Sequence, residues 1–90
     1  MEVIQNEAKS RFELHVDGGV AVLDYRLRPG EIVLTYAGVP GELQGHGLGG
    51  QIVQAGLDYA RANGLKVIPT CSFVASYIQR HPESWDLLAK

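Results

Sequence analysis

Cysteine is almost missing from this chain of 90 residues; Cys71 stands alone. One cysteine excludes an internal disulfide framework and fits a reducing compartment. Basic runs are missing too, with 8 Lys and Arg against 10 Asp and Glu for a net charge of −2. Nucleic-acid binding needs clustered cations to displace counterions from phosphates, so no nucleic-acid partner is expected. No apolar stretch approaches the ~20 residues of a membrane span. The acidic start, Met1-Glu2-Val3-Ile4, lacks the features of a signal or transit peptide. Three scattered histidines and one cysteine offer no metal-ligand spacing. Repeats, linkers and low-complexity tracts are absent. These absences leave a small cytoplasmic domain with no membrane partner and no metal. An apolar fraction of 46% against 20% charged residues is a globular profile, and the length admits one domain.

Residues 1–10 are polar and weakly patterned, which predicts a frayed lead-in to a domain over 11–90. From Arg11 to Val16, Phe12, Leu14 and Val16 alternate with polar residues, the period of a half-buried strand. Asp17-Gly18-Gly19 is a hairpin turn. Val20–Leu27 reads as a second strand, Pro29-Gly30 as a type II turn, and Glu31–Ala37 as a third strand. The pattern then changes: Leu48, Ile52, Val53, Gly56, Leu57 and Ala60 recur at helical spacing, and Asn63-Gly64 closes the helix. Leu65–Ile68 is a short strand ended by Pro69. A second helix runs from about Ser72 to Arg80, stopped by Pro82. A strand–helix–strand connection of this length makes the 66–68 strand parallel to the 31–37 strand. The predicted fold is α/β: a three-strand antiparallel meander, one parallel strand and at least two helices.

The segment Gln44-Gly45-His46-Gly47-Leu48-Gly49-Gly50 carries the most information. Glycines at a helix start cost roughly 1 kcal/mol each in helix propensity relative to Ala. Without Cβ atoms, however, a ligand can approach the backbone, and the unpaired first-turn N–H groups suit a phosphate. A tightly packed turn is the alternative. Gly45, Gly47 and Gly50 satisfy G-x-G-x-x-G, but the dinucleotide fingerprint also expects an acidic residue about 20 positions on. The stretch there, Lys66-Val67-Ile68-Pro69-Thr70, has none, and three antiparallel strands precede the loop. A Walker loop fails for want of Gly-Lys-Ser/Thr.

The run Val39–Gly49 resembles the Gln/Arg-x-x-Gly-x-Gly/Ala acetyl-CoA motif of the GNAT superfamily of N-acetyltransferases. More closely, the chain resembles the short, single-domain YjdJ-type subgroup. The matching features are Val39-Pro40, the glycine loop, Gly64–Pro69, Cys71-Ser72-Phe73-Val74 and Tyr77–Pro82. The resemblance covers roughly residues 11–85. It implies acetyl-CoA between two splayed parallel strands, 31–39 and 66–68, with the pyrophosphate on backbone amides from Gly45 to Gly49. The cofactor-binding residues it implies are Val39, Gln44, Gly45, His46, Gly47, Leu48, Gly49 and Ser72. Cys71 would lie beside the acetyl group, and Tyr77 matches the tyrosine that returns a proton to the departing thiolate. Gln44 stands where the subgroup more often has Arg, and Tyr36-Ala37-Gly38 replaces a run that often reads His-Thr-Glu.

Each of these residues also has a plainer reading. Cys71 is equally a small buried hydrophobe, Tyr77 a core tyrosine, and His46 a solvated spacer. His81 reads as a helix C-terminal histidine favoured by the dipole, with an exposed CoA contact as the alternative. His15 faces solvent, and Trp85 anchors the C-terminal tail to the core. The expected function is transfer of an acetyl group from acetyl-CoA to an amine by direct attack on the thioester. Its rivals are a non-catalytic CoA-binding module and a mere scaffold. The chain has little material for an enclosing pocket, so the acceptor site should be shallow and the acceptor small or flexible.

Overall fold

A computed structural model describes residues 2–89. Five strands form one sheet in sequential order: β1 (Val3–Asn6), β2 (Arg11–Val16), β3 (Gly19–Arg28), β4 (Glu31–Gly38) and β5 (Lys66–Pro69). The first four pair antiparallel and β5 pairs parallel to β4. Helix α1 (Leu48–Ala62) is the crossover between β4 and β5, and α2 (Ser72–Gln79) follows β5. No helix among the described residues is long and apolar enough to cross a membrane.

The expected frayed lead-in is a strand instead. Val3 pairs with Leu14 and Gln5 with Phe12, so β1 caps the sheet edge. Val3 packs against the core, while Gln5 Nε2 donates to the Tyr25 hydroxyl at 2.9 Å and Asn6 Nδ2 donates to Glu13. Side-chain hydrogen bonds hold a segment whose hydrophobic pattern is too short to register as a strand. Trp85 also differs from expectation. Its indole is 51% exposed, and Nε1 donates to the Ile78 carbonyl at 2.8 Å. It ties the tail to the end of α2 through the backbone of the core residue Ile78, while Trp85 itself stays half-exposed. Arg61 adds a second tie, gripping Asp86 at 2.9 and 3.1 Å and the Glu83 carbonyl at 3.1 Å.

One face of the sheet carries the core: Phe12, Leu14, Leu23, Tyr25, Ile32, Leu34 and Val67 meet Ile52, Val53, Leu57, Val74 and Ile78 from the helices. Fully burying each such side chain contributes roughly 1.5–3 kcal/mol. Gly56 lets α1 lie close, because a Cβ there would stand 2.5 Å from Leu23 Cδ2.

Two irregularities open the sheet near the end of β4. The β3–β4 register jumps from Asp24↔Tyr36 to Tyr25↔Leu34, leaving Thr35 as an extra residue, a β-bulge. A bulge reverses the in–out alternation beyond it. Ile32 and Leu34 are buried before the bulge, whereas after it Ala37 turns inward and Tyr36 stands 53% exposed. Pairing with β5 stops at the same level: Leu34↔Pro69 is the last pair, and the Thr70 N–H donates to the Leu34 carbonyl at 3.1 Å. Beyond it β4 runs on to Gly38 with no β5 partner, and the parallel strands part.

Candidate functional site

The part of β4 beyond its last β5 pair borders a cleft of about 540 Å³, lined from Ala37 and Val39 through the glycine loop to one side of α2. That is within the usual range for a small-molecule site. A short 3-10 turn, Gly41–Leu43, and an extended Gln44 lead into the loop. Gln44 Nε2 donates to the Val39 carbonyl at 3.2 Å, bracing the loop across its own base.

The glycines have local reasons of two kinds. Gly45 (φ 89°) and Gly47 (φ 77°) are left-handed, a conformation that costs an ordinary L-residue about 1–2 kcal/mol. A Cβ at either would meet nothing within 4 Å. Gly49 and Gly50 instead make room for α2: a Cβ would stand 2.6 Å from Phe73 Cζ and 3.3 Å from Tyr77 Cε2. Both aromatics thus ride on the first turn of α1. Helix propensity alone makes this loop costly; turn conformation and helix packing account for the glycines without a ligand.

The start of α1 nevertheless suits an anion. Gly47 is its N-cap and has no side chain to cap with, and no acidic residue stands in the first turn. The first helical bond runs from the Gln51 N–H to the Gly47 carbonyl at 3.1 Å. The N–H groups of Leu48, Gly49 and Gly50 come before any intrahelical partner and lie at the positive end of the helix dipole.

Of the sequence-derived residues, Val39, Gln44, Gly45, Gly47, Leu48, Gly49 and Tyr77 line this one cleft. His46, Ser72 and Cys71 do not line it. His46 and Ser72 are exposed. Cys71 is half-buried against the core, just after the last β4–β5 hydrogen bond, and its carbonyl accepts the first α2 bond from Ala75 at 3.0 Å. Phe73, Arg80 and His81 also line the cleft. Phe73 belongs to the matching Cys71-Ser72-Phe73-Val74 run, where nothing marks it as a cleft residue.

Tyr77 forms the wall opposite Gly50. Its hydroxyl donates to Gln54 Oε1 at 2.7 Å, and Gln54 Nε2 donates in turn to Asp58 at 2.9 Å. His81 stacks on the Tyr77 ring with centroids 3.9 Å apart. Burial, with the nearby carboxylates of Glu83 and Asp58, pushes the phenol pKa above its ordinary value. Tyr77 therefore stays protonated through the neutral range and can act only as a proton donor there.

Residues 11–88 match the family model described as GCN5-related N-acetyl-transferase. The chain belongs to that family. It is also similar to the NMR solution structure of a GCN5-like candidate N-acetyltransferase from Staphylococcus aureus, at 30% identity and a TM-score of 0.78. That alignment covers 98% of this chain and 87% of the other. In this GCN5-related acetyltransferase the end of β4 beyond its β5 pairing and the uncapped helix start line the same cleft.

Proposed function

We propose that this chain transfers an acetyl group from acetyl-CoA to an amine by direct attack on the thioester, as a member of the short, single-domain YjdJ-type subgroup. One observation carries the reading: the uncapped start of α1 and the end of β4 that has parted from β5 line one cleft. The residues present fit acetyl-CoA, since the positive helix end suits a pyrophosphate and the open space beside Gly45 and Gly47 admits close approach.

Bound acetyl-CoA supplies an acetyl group already activated as a thioester. The amides from Gly45 to Gly49 hold the pyrophosphate, with Gln44 bracing the loop that presents them. The Val39 N–H polarises the thioester carbonyl. The amine nitrogen forms a C–N bond as the C–S bond breaks, the sulfur takes the electron pair, and the amine's surplus proton passes to solvent. Tyr77 protonates the departing sulfur, and its hydroxyl must release Gln54 to do so. Cys71, just after the last β4–β5 pair, takes no part in the covalent chemistry, because no base or cation adjoins it in sequence. His46 and Ser72 contribute through their backbone.

The test incubates the protein with acetyl-CoA and a panel of amines, measuring acetylated amine by mass and free CoA thiol by colour. Equal amounts of both products are expected. CoA binding with no acetylated amine would leave a non-catalytic CoA-binding module instead.

A further inference from the structure

The cleft has a second end, which carries one arginine. Helix α2 starts where β4 and β5 part and passes the first turn of α1, with Phe73 against Gly49 and Tyr77 against Gly50. At 1.5 Å per residue, Arg80 and His81 stand about 5 Å further along, beyond the start of α1. Both line the cleft. The Arg80 Nε donates to the Ser76 carbonyl at 3.3 Å, and among the described residues no carboxylate lies within 4.0 Å of its guanidinium. His81 Nδ1 lies 2.6 Å from the Tyr77 carbonyl. A carbonyl oxygen only accepts, so Nδ1 carries a proton, and Nε2 donates to a phosphate oxygen only when the imidazole is in its imidazolium form. The stack on Tyr77 and the bond to its carbonyl fix the imidazole in place.

The geometry points to a phosphate-monoester subsite at Arg80 and His81, which takes the ribose 3′-phosphate of CoA. It rests on the acetyl-CoA reading above. CoA carries two separate anionic groups, a pyrophosphate and a 3′-phosphate. The cleft offers two separate places for an anion, the α1 amides and the Arg80–His81 pair. In CoA the 3′-phosphate sits on the ribose next to the pyrophosphate, and Arg80 and His81 line the same cleft as the residues at the start of α1. A guanidinium with no carboxylate partner suits a terminal phosphate, which it can grip through two parallel N–H donors.

Calorimetry with CoA and 3′-dephospho-CoA tests this on the wild-type chain, Arg80→Gln and His81→Gln. The wild type should bind CoA about tenfold more tightly than dephospho-CoA, the size of one charge-assisted hydrogen bond. Arg80→Gln should abolish that preference, weakening CoA about tenfold and dephospho-CoA less than twofold. His81→Gln should reduce the preference in part. Tight binding of both ligands with no preference would overturn the subsite alone, as would an equal loss for both ligands in Arg80→Gln. Failure of either ligand to bind the wild type would overturn the acetyl-CoA reading itself, and the subsite with it.

Discussion

Replacing Gly47 separates its two roles, backbone conformation and anion binding. At φ 77° any L-residue is strained, but a Cβ would meet nothing within 4 Å, so no clash is added. Asn and Asp tolerate the left-handed region best, and both suit an N-cap. Gly47→Asn and Gly47→Asp should each cost about 1 kcal/mol, lowering the melting temperature by roughly 4–8 °C. Asp should be no less stable than Asn, because its charge complements the helix dipole. Binding should split them. A carboxylate about 5 Å from a bound phosphate costs roughly 1–3 kcal/mol across effective dielectrics of 80 to 20, a ~5- to 150-fold weakening. Gly47→Asp should thus bind CoA at least fivefold more weakly than Gly47→Asn, and the gap should narrow in about 1 M salt, where charges are screened within ~3 Å. Calorimetry at low and high salt, with thermal melts alongside, reads both effects. Equal CoA affinity for two folded variants would refute the placement of an anion at the start of α1.

Other perturbations follow from the same geometry. Tyr77→Phe keeps the cleft wall and removes the proton donor, so turnover should fall about 100-fold with CoA affinity nearly unchanged; unchanged turnover in steady-state assays would reduce Tyr77 to a wall. Intact-mass spectrometry after acetyl-CoA alone should find Cys71 unmodified, with Cys71→Ala still active; a stoichiometric adduct that an amine discharges would overturn direct attack. Gly56→Ala gains helix propensity but drives a Cβ to 2.5 Å from Leu23 Cδ2, so urea melts should show a net loss of about 1 kcal/mol. A stabilised variant would show that Leu23 moves aside freely. The Arg61 guanidinium holds the Asp86 carboxyl below its ordinary pKa. A lowered folded value means a contribution that is full above the ordinary carboxylate range and fades as pH falls through the folded value. Asp86→Asn should therefore slightly flatten the acid limb of stability, and an unchanged limb would show that this exposed pair contributes nothing.

Strong periodicity made most of the fold legible in the sequence. The strand over Arg11–Val16 falls where the alternation put it, and α1 begins at Leu48, the first residue of its apolar stripe. The β1 strand was not legible, since its inward contacts involve Gln5 and Asn6 as much as Val3. The bulge at Thr35 was not legible either. Both faces of a mid-sheet strand read as apolar, so one extra residue leaves no mark on the pattern, yet it decides that Ala37 rather than Tyr36 meets the cleft. The glycine loop was found for a partly mistaken reason. The cost argument favoured a ligand over a tightly packed turn, whereas positive φ at Gly45 and Gly47 and the aromatics on Gly49 and Gly50 already explain those residues as a turn and a helix contact. Arg80 lies in the matching Tyr77–Pro82 run but has no role legible there, because its place at the cleft depends on how α2 crosses α1, a tertiary fact with no local signal.

Amide chemical shifts test the account most directly. Acetyl-CoA added to uniformly ¹⁵N-labelled protein should shift the N–H resonances of Val39 and of Gly45 through Gly50, with smaller changes along the cleft-facing side of α2. Resonances of β1 and of the Pro29-Gly30 turn should stay in place. Large shifts confined to other segments, or none at millimolar acetyl-CoA, would contradict the assignment of this cleft as the acetyl-CoA site.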